Sequence, residues 1–228
     1  IPNGSWLRNP YFLIDNIRNQ SHEQIFNGKI ELNYQIAPWF DVMYRAGVYN
    51  IAEEFRDYTN KYEAPGTRNT PGSVNDGSVF YRRLNSDLIL NFKKTLGKWN
   101  NRLLLGQNIR TDDKKQSNVS ASNLLYTDII NPSSRTGELG GGTTITEQRS
   151  MAVYGELSTG YNDLLFLTLT GRNEWTSVLA KENRSYFYPG VGAALILTEA
   201  IPAIRQMRQV SFAKLYSSWN KTGNVTLA

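Results

Sequence analysis

The sequence has 228 residues, 40% of them hydrophobic and 20% charged, a balance that excludes a disordered or low-complexity chain. The lack of cysteine excludes a disulfide scaffold and thiolate metal sites, and the single histidine, His22, excludes a multi-histidine zinc site. The net charge of +5 does not indicate a nucleic-acid binder, because pairs such as Arg82-Arg83 and Lys114-Lys115 are scattered among acidic residues and a phosphate-binding patch has to be contiguous.

Alternation of apolar and polar residues is the strongest pattern in the chain. The mean hydropathy of −0.46 and the lack of long apolar runs exclude a transmembrane helix, but alternating strands of a membrane β-barrel also average to a polar score. In the first run, 22–36, Phe26, Ile30 and Leu32 share one face, while Lys29 and Glu31 share the other. The pattern predicts eight strands in four hairpins, over residues 22–36, 39–57, 79–93, 99–111, 145–159, 164–175, 186–197 and 210–220.

The predicted links between strands alternate in length. Turns near Pro38, Gly97 and Asn162 are short, whereas three polar links are long, namely 58–78, 112–144 and 176–185. An up-and-down barrel with short turns on one side of a membrane and long loops on the other predicts this alternation. The final link, 198–209, is an exception: it is long and is predicted to hold a short helix, with Pro202 near its start. The register of the last strand stays open, because Phe212 and Leu215 fall on opposite faces.

The two faces of these strands predict two environments. Lipid contact is predicted for the leucines that lie midway along the strands, and water contact in a lumen for the charged residues opposite them. Aromatic residues near both strand ends predict two interfacial belts, with core packing by β-forming aromatics as the alternative. The lipid-facing set is Leu88, Leu90, Phe92, Leu103, Leu105, Leu165, Leu167 and Leu169. The lumen-facing set is Glu31, Arg45, Arg83, Asp87, Arg172 and Glu174, and the belt set is Trp39, Trp99, Tyr161, Trp175, Tyr188 and Trp219.

No catalytic, cofactor or metal motif stands out in the sequence. Gly190-Val191-Gly192 lacks the third glycine of a dinucleotide fingerprint, and Gly97-Lys98 lacks the other residues of a phosphate loop. His22 has no cysteine partner and lies at the end of a predicted strand, which favours a surface histidine. The sequence therefore predicts that the chain is not an enzyme, and no cofactor is expected.

The charged face is too rich for a small closed barrel. An eight-stranded barrel fills its interior with side chains, so charges such as Asp41, Arg45, Asp87 and Arg172 would not all pair in its bore. They suit a wide barrel that holds water or a plug. The eight strands are therefore expected to be part of a larger wall.

Several segments of the chain carry a resemblance to one known family. They are Asn9-Pro10-Tyr11-Phe12; Phe26–Tyr34 with Trp39-Phe40 and Arg45-Ala46-Gly47; Leu169–Glu174 with Tyr186–Val191; and Lys214–Trp219 with Thr222-Gly223-Asn224. Each motif alone is weak, but their order and spacing are fairly specific. In this order they resemble the barrel of the SusC/RagA-type TonB-dependent outer-membrane transporters, and the resemblance covers most of the chain.

The resemblance implies a Gram-negative, Bacteroidota outer membrane and a plugged barrel of about 22 strands. It also implies a SusD-like surface lipoprotein as a lid, energy from TonB, and import of oligosaccharides or peptides. Residues 1–228 are then expected to be a partial barrel domain, with the plug, the TonB-contacting segment and the remaining strands outside this sequence. The alternatives are a soluble β-rich glycan-binding module, whose apolar faces would have to meet in one core, and an outer-membrane enzyme with clustered acids at the loop ends.

Overall fold

A computed structural model describes residues 10–62, 69–207 and 209–223. This described part of the chain is all-β apart from four short helical segments. Asn9 and Asn224, which belong to the resembling motifs, lie outside the described residues. The strands are β1 (Ile17–Ala37), β2 (Phe40–Thr59), β3 (Ser73–Leu96), β4 (Trp99–Ser122), β5 (Gly140–Tyr161), β6 (Leu165–Thr176), β7 (Ser185–Ile196) and β8 (Lys214–Asn220). The helical segments are α1 (Pro10–Asn16), α2 (Leu197–Ala200), α3 (Pro202–Arg205) and a 3₁₀ turn (Lys181–Asn183).

All eight strands belong to one sheet in the sequential order β1 to β8. The last four strands pair antiparallel, with Tyr154 opposite Arg172, Arg172 opposite Tyr188, and Leu195 opposite Leu215. The last pair fixes the register of β8, and Phe212 lies before that strand begins. The eight predicted strands and their up-and-down order are confirmed.

Two tight turns follow from their residue types. Gly97 has φ of +60°, which a glycine adopts without steric cost. Asn162 and Asp163 have φ of 53° and 58°, and Leu164 N donates to Tyr161 O at 2.9 Å. Positive φ at both central residues defines a type I′ turn, which matches the twist of the flanking strands.

The predicted long loops were too long, because polar residues extend the strands at that end. β3 begins at Ser73 and β4 runs to Ser122, so the links that the structure shows are 60–72, 123–139 and 177–184. The segment around Gly140-Gly141-Gly142 starts β5 instead of lying in a loop. A loop assignment made from polarity and glycine content therefore fails where polar residues continue a strand.

The β7–β8 link also differs from its prediction. In place of one helix over 199–209, two four-residue helices occur, α2 and α3, and Ile201 between them is extended, with φ of −119° and ψ of 105°. Pro202 disfavours helical conformation in the residue before it, so the chain has to break at Ile201.

The contacts divide the chain into two compact units. The first contains Ile1–Asn27, Val48–Arg83 and Asp112–Glu147. It holds a small buried cluster of Val74, Ala121 and Leu124, with Tyr58 and Ile130 packed against it.

The 123–139 link is held in place within this first unit. Leu124 N donates to Pro71 O at 2.8 Å. Asn60 and Asp128 exchange two hydrogen bonds, from Asn60 Nδ2 to Asp128 Oδ1 at 2.7 Å and from Asp128 N to Asn60 Oδ1 at 3.0 Å. This link is therefore a folded part of the structure.

The second unit contains Gly28–Gly47, Leu84–Thr111 and Gln148–Ala228. Its strands expose leucines on one side, among them Leu165 and Leu167 at 43% and 37% of their surface, while Asp87 on the other side is only 6% exposed. Burial of a carboxylate beside exposure of leucines is the reverse of the arrangement in a soluble protein.

Candidate functional site: the polar face of the sheet

The side of β2 to β7 that carries the charged residues of the second unit is here called the polar face. Its centre is Asp87 on β3, whose Oδ2 accepts from Arg45 Nε and Nη2 at 3.2 and 3.1 Å and from Asn85 Nδ2 at 2.9 Å. Asn108 on β4 donates from Nδ2 to Asp87 Oδ1 at 2.7 Å. Three strands thus contribute to one network, whose charge-assisted bonds offset the desolvation of the carboxylate.

A second group on the polar face lies nearer the short turns. Asp41 accepts from Asn91 Nδ2 and from Lys93 Nζ, both at 2.9 Å. Arg102 on β4 reaches Asn91 Oδ1 at 3.5 Å. The face therefore continues as paired charges and amides, which fits contact with water better than contact with lipid.

A third group on the polar face is aromatic and charged. The guanidinium of Arg172 lies 5.7 Å from the centre of the Tyr154 ring and pairs with Glu174 at 3.0 Å. On β7, Tyr188 stands opposite Arg172 and Tyr186 opposite Glu174, and the two tyrosine rings are 6.4 Å apart and nearly parallel. We call these five residues the tyrosine–arginine cluster.

The cluster depends on a glycine in β4. A Cβ at Gly106 would come within 2.6 Å of three atoms of the Tyr154 side chain, so the ring occupies the space that a side chain would fill. Glycine inside a strand commonly allows such close approach. The cluster offers ring faces, a guanidinium and a carboxylate, all half-buried, and these groups can bind a polar organic molecule through stacking and hydrogen bonds.

The first unit carries one further predicted lumen residue. Arg83 donates from Nε to Asp112 Oδ1 at 2.7 Å, and the Tyr81 hydroxyl donates to the same oxygen. The remaining predicted lumen residue, Glu31 on β1, pairs with Lys29 at 3.0 Å. The structure brings Arg45 together with Asp87, and Arg172 together with Glu174, whereas Glu31 and Arg83 have other partners.

The predicted lipid-facing leucines lie on the opposite side of the second unit, here called the apolar face. Leu165 stands opposite Tyr161 and Leu195, and Leu167 opposite Thr159 and Ala193, so these side chains lie on one side of the sheet. Most of the predicted leucines are exposed and Leu90 is half-buried. A soluble glycan-binding sandwich would need a second layer over this face. The described residues do not form such a layer.

Five of the six predicted belt residues fit the apolar side, and Tyr188 does not. Tyr161 packs on Trp99 at 4.8 Å, and Trp39 stacks on Phe40 at 5.7 Å. Trp175 and Trp219 stand opposite Met151 and Val191, respectively. Tyr188 lies on the polar face, because its partner across the strands is Arg172. The period-two rule, applied strictly to Tyr186–Gly192, would have separated Tyr188 from the belt.

Asn85, Asn108 and Tyr154 are site residues that the sequence analysis did not single out. A usable signal for the asparagines was their position inside predicted strands, where Asn is depleted. No sequence signal indicated that Tyr154 lies over Gly106, because that contact depends on the register between β4 and β5.

The described residues contain no group of three or more His, Asp or Glu side chains arranged to hold a metal ion. No helix in the described part of the chain is both long and apolar enough to cross a membrane.

The chain shows likeness to known proteins at two levels. No family model matches it. In sequence, it is 34% identical over 71 residues to the TonB-dependent receptor P26 of Formosa agariphila, a match over 31% of this chain and 7% of the receptor.

In fold, the chain matches structures of the RagAB peptide transporter. One of these superposes with a TM-score of 0.83 at 14% identity, over 96% of this chain and 24% of that chain. The RagAB peptide importer in its "closed-closed" and "open-open" states gives TM-scores of 0.84 and 0.80 at 14% and 15% identity, with 97% and 96% of this chain and again 24% of that chain covered. The chain therefore spans about a quarter of the length of these structures and a smaller share of the receptor.

Both comparisons agree with the localisation expected from the sequence, which is the outer membrane. The relatives are receptors or transporters by name, and the match in fold is to the wall of a β-barrel. In local sequence and in fold, the chain resembles a segment of the β-barrel of a SusC/RagA-type TonB-dependent transporter of the outer membrane.

Proposed function

We propose that this chain is part of the barrel wall of an outer-membrane, TonB-dependent active transporter, without enzymatic activity, that imports oligosaccharides or peptides. The observation that carries the proposal is the two-sided sheet of the second unit. One face is a network of paired charges and amides around Asp87, and the other exposes leucines such as Leu165 and Leu167. A wall between lipid and an aqueous lumen requires this arrangement, because unpaired polar groups are costly in hydrocarbon.

The proposal includes the parts that lie outside the sequence. Residues 1–228 are a partial barrel domain, and about 22 strands with a plug complete the barrel. A SusD-like surface lipoprotein covers the channel as a lid, and TonB supplies energy through a segment that is not in this sequence. The support is the match to about a quarter of the RagAB chains, together with the charged face, which suits a wide lumen.

Within this proposal the polar face lines the lumen and the apolar face contacts outer-membrane lipid. The aromatic belts then consist of Trp39, Trp99, Tyr161, Trp175 and Trp219. The tyrosine–arginine cluster is the part of the described lumen wall best suited to substrate, because it combines ring faces with a guanidinium and a carboxylate.

Uptake by cells that carry the full-length protein tests the function. Labelled oligosaccharide and peptide mixtures are supplied at limiting concentration, with and without collapse of the proton gradient. We expect uptake of one class of substrate that stops when the gradient collapses. Uptake that continues without the gradient would contradict TonB dependence, and failure to take up either class would contradict the transport proposal.

A pair of neighbouring variants tests the assignment of the two faces. Tyr188→Ala removes a ring from the polar face. Phe187→Ala removes a ring from the adjacent residue, which is exposed and lies on the apolar face. We expect several-fold weaker uptake for Tyr188→Ala, since stacking contributes about 1 kcal/mol, and no change for Phe187→Ala. Equal loss in both variants would point to a folding defect and would remove the support for a lumen-facing Tyr188.

A further inference from the structure

The β7–β8 link, residues 197–213, exposes large apolar side chains at the end of the sheet where the other links are short. Ile201, Met207 and Phe212 are 41%, 51% and 62% exposed. The other three short-end hairpins turn within a few residues, near Pro38, Gly97 and Asn162. A link surrounded by water could consist of polar residues, so the exposure of these apolar side chains needs an explanation.

The position of the link places it beside the predicted aromatic belt. β7 ends at Ile196, whose N donates to Leu164 O at 2.9 Å, and Leu164 N donates to Tyr161 O at 2.9 Å. The Tyr161 ring packs on Trp99 at 4.8 Å. Two backbone hydrogen bonds therefore connect the start of the link to an aromatic pair of the kind that lies at membrane interfaces.

The conformation of the link holds its apolar side chains at the surface. Leu197 N donates to Ala213 O at 2.8 Å, so the two ends of the link are fastened together, and Thr198 is buried between them. Ile201 N donates to Leu197 O at 2.9 Å, and Met207 N to Ile204 O at 3.1 Å. A hydrogen-bonded backbone can lie in an interface, because few of its polar groups are left without partners.

The charges of the link favour an anionic partner. Its one acidic residue, Glu199, pairs with Arg205 at 3.5 Å. The sequence adds a second arginine, Arg208, and β8 begins with the exposed Lys214. Basic residues beside exposed apolar ones are the composition of segments that lie in the headgroup layer of anionic phospholipid.

We propose that the β7–β8 link is an interfacial anchor. It lies in the headgroup layer of the leaflet at the short-turn end, with Ile201, Met207 and Phe212 among the upper acyl chains and with Arg205 and Lys214 at the phosphates. The proposal rests on the outer-membrane localisation and does not depend on the transported substrate.

Fluorescence quenching in the full-length protein tests the anchor. A single cysteine is placed at Met207 or at Phe212, with any other cysteine replaced, and is labelled with an environment-sensitive dye. The protein is reconstituted in vesicles that contain phosphatidylglycerol, and quenching by shallow spin-labelled lipid is compared with quenching by aqueous iodide. Thr127→Cys, in the 123–139 link, is the matched control at the other end of the strands.

We expect lipid quenching at positions 207 and 212 to exceed that at position 127 by about twofold or more, with weaker iodide quenching and blue-shifted emission. Iodide quenching equal to that of the control would place the link in water and overturn the proposal. Protection from both quenchers would show that protein covers the link, which would overturn it equally. Heat-modifiable gel mobility of each labelled variant confirms that the barrel has folded, and the test needs no transport.

Discussion

Asp87 and Leu167 show how the two faces differ at the scale of single residues. Asp87 is almost completely buried and accepts hydrogen bonds from Arg45, Asn85 and Asn108. Leu167 is exposed and has no apolar layer over it among the described residues. We expect water on the polar face and lipid on the apolar face, and single substitutions on each face can test this expectation.

Loss of the Asp87 carboxylate should destabilise the wall. Asp87→Ala removes the shared acceptor of three donors and leaves the half-exposed Arg45 without its partner. We expect a loss of about 1–3 kcal/mol, seen as a lower urea midpoint for the full-length protein in lipid vesicles. The matched control is Asp113→Ala, which breaks a more exposed pair with Arg82 and should cost about 0–1 kcal/mol. Equal effects would show that the network adds nothing to stability.

Arginine should discriminate between neighbouring positions of β6. Leu167→Arg places a charge on the apolar face near the middle of the strand and should cost about 2–4 kcal/mol in the membrane. Thr168→Arg places the same charge on the polar face, where Thr168 stands opposite Ser158 and Gly192, and should cost much less. Folding yield and urea midpoint in vesicles measure the difference. If Leu167→Arg folds as well as the parent protein, the apolar face does not contact lipid.

Residue alternation predicted which side of a strand a residue occupies, but it did not predict which residues that side chain contacts. It separated Arg45 and Asp87 from Leu88, because a period of two depends only on strand conformation. It did not reveal that Asn108 completes the network, since that contact depends on the stagger of β4 against β3, which no local pattern encodes. Tyr188 was misplaced because its aromatic type was given more weight than its position.

At the scale of elements, the strands extend at the long-loop end beyond the segments in which apolar residues alternate. On β3 the alternating apolar positions begin near Leu84, yet the strand starts at Ser73. Arg82, on the same side of the strand as Leu84, pairs with Asp113 on β4 at 2.7 Å. Hydrophobic periodicity could predict the part of each strand that carries the apolar face, but no apolar pattern marks the part beyond it.

The sidedness of the links can be tested by cysteine labelling of intact cells. Cysteines at Thr127 and Glu182 lie in the 123–139 and 177–184 links, both exposed, and should react with a membrane-impermeant reagent. A cysteine at Lys98, beside Gly97 in a short turn, should react only after the membrane is opened. The opposite pattern would invert the topology, and the function proposed for the polar face would then need a different entry side.

At the scale of the whole molecule, the sheet has two edge strands, β1 and β8. All seven residues of β8 are exposed, as are most of the 21 residues of β1. Unpaired N–H and C=O groups in hydrocarbon cost several kcal/mol each, so within the proposed barrel we expect further strands to pair with these edges. The charged face led to the same expectation from the sequence, since a small closed barrel would not hold so many charges in its bore.

Residues 1–228 expressed alone should not form a stable unit. After refolding in detergent we expect aggregation, or recovery only when the complementary part of the full-length protein is supplied. A small self-contained barrel would instead give a monodisperse monomer with cooperative unfolding and heat-modifiable gel mobility. That result would overturn the proposal that this chain is a partial barrel domain.

Within the proposed transporter, the Arg82–Asp113 pair offers a marker for the height at which β3 leaves the membrane. If lipid ends near this pair, the nine residues of β3 from Ser73 to Tyr81 stand above it, and a strand tilted near 45° gains roughly 2.4 Å of height per residue. The rim carrying the 123–139 link would then stand about 20 Å above the bilayer surface. At that height antibodies or phage could reach the rim from outside the cell, while the apolar face below would stay hidden from them.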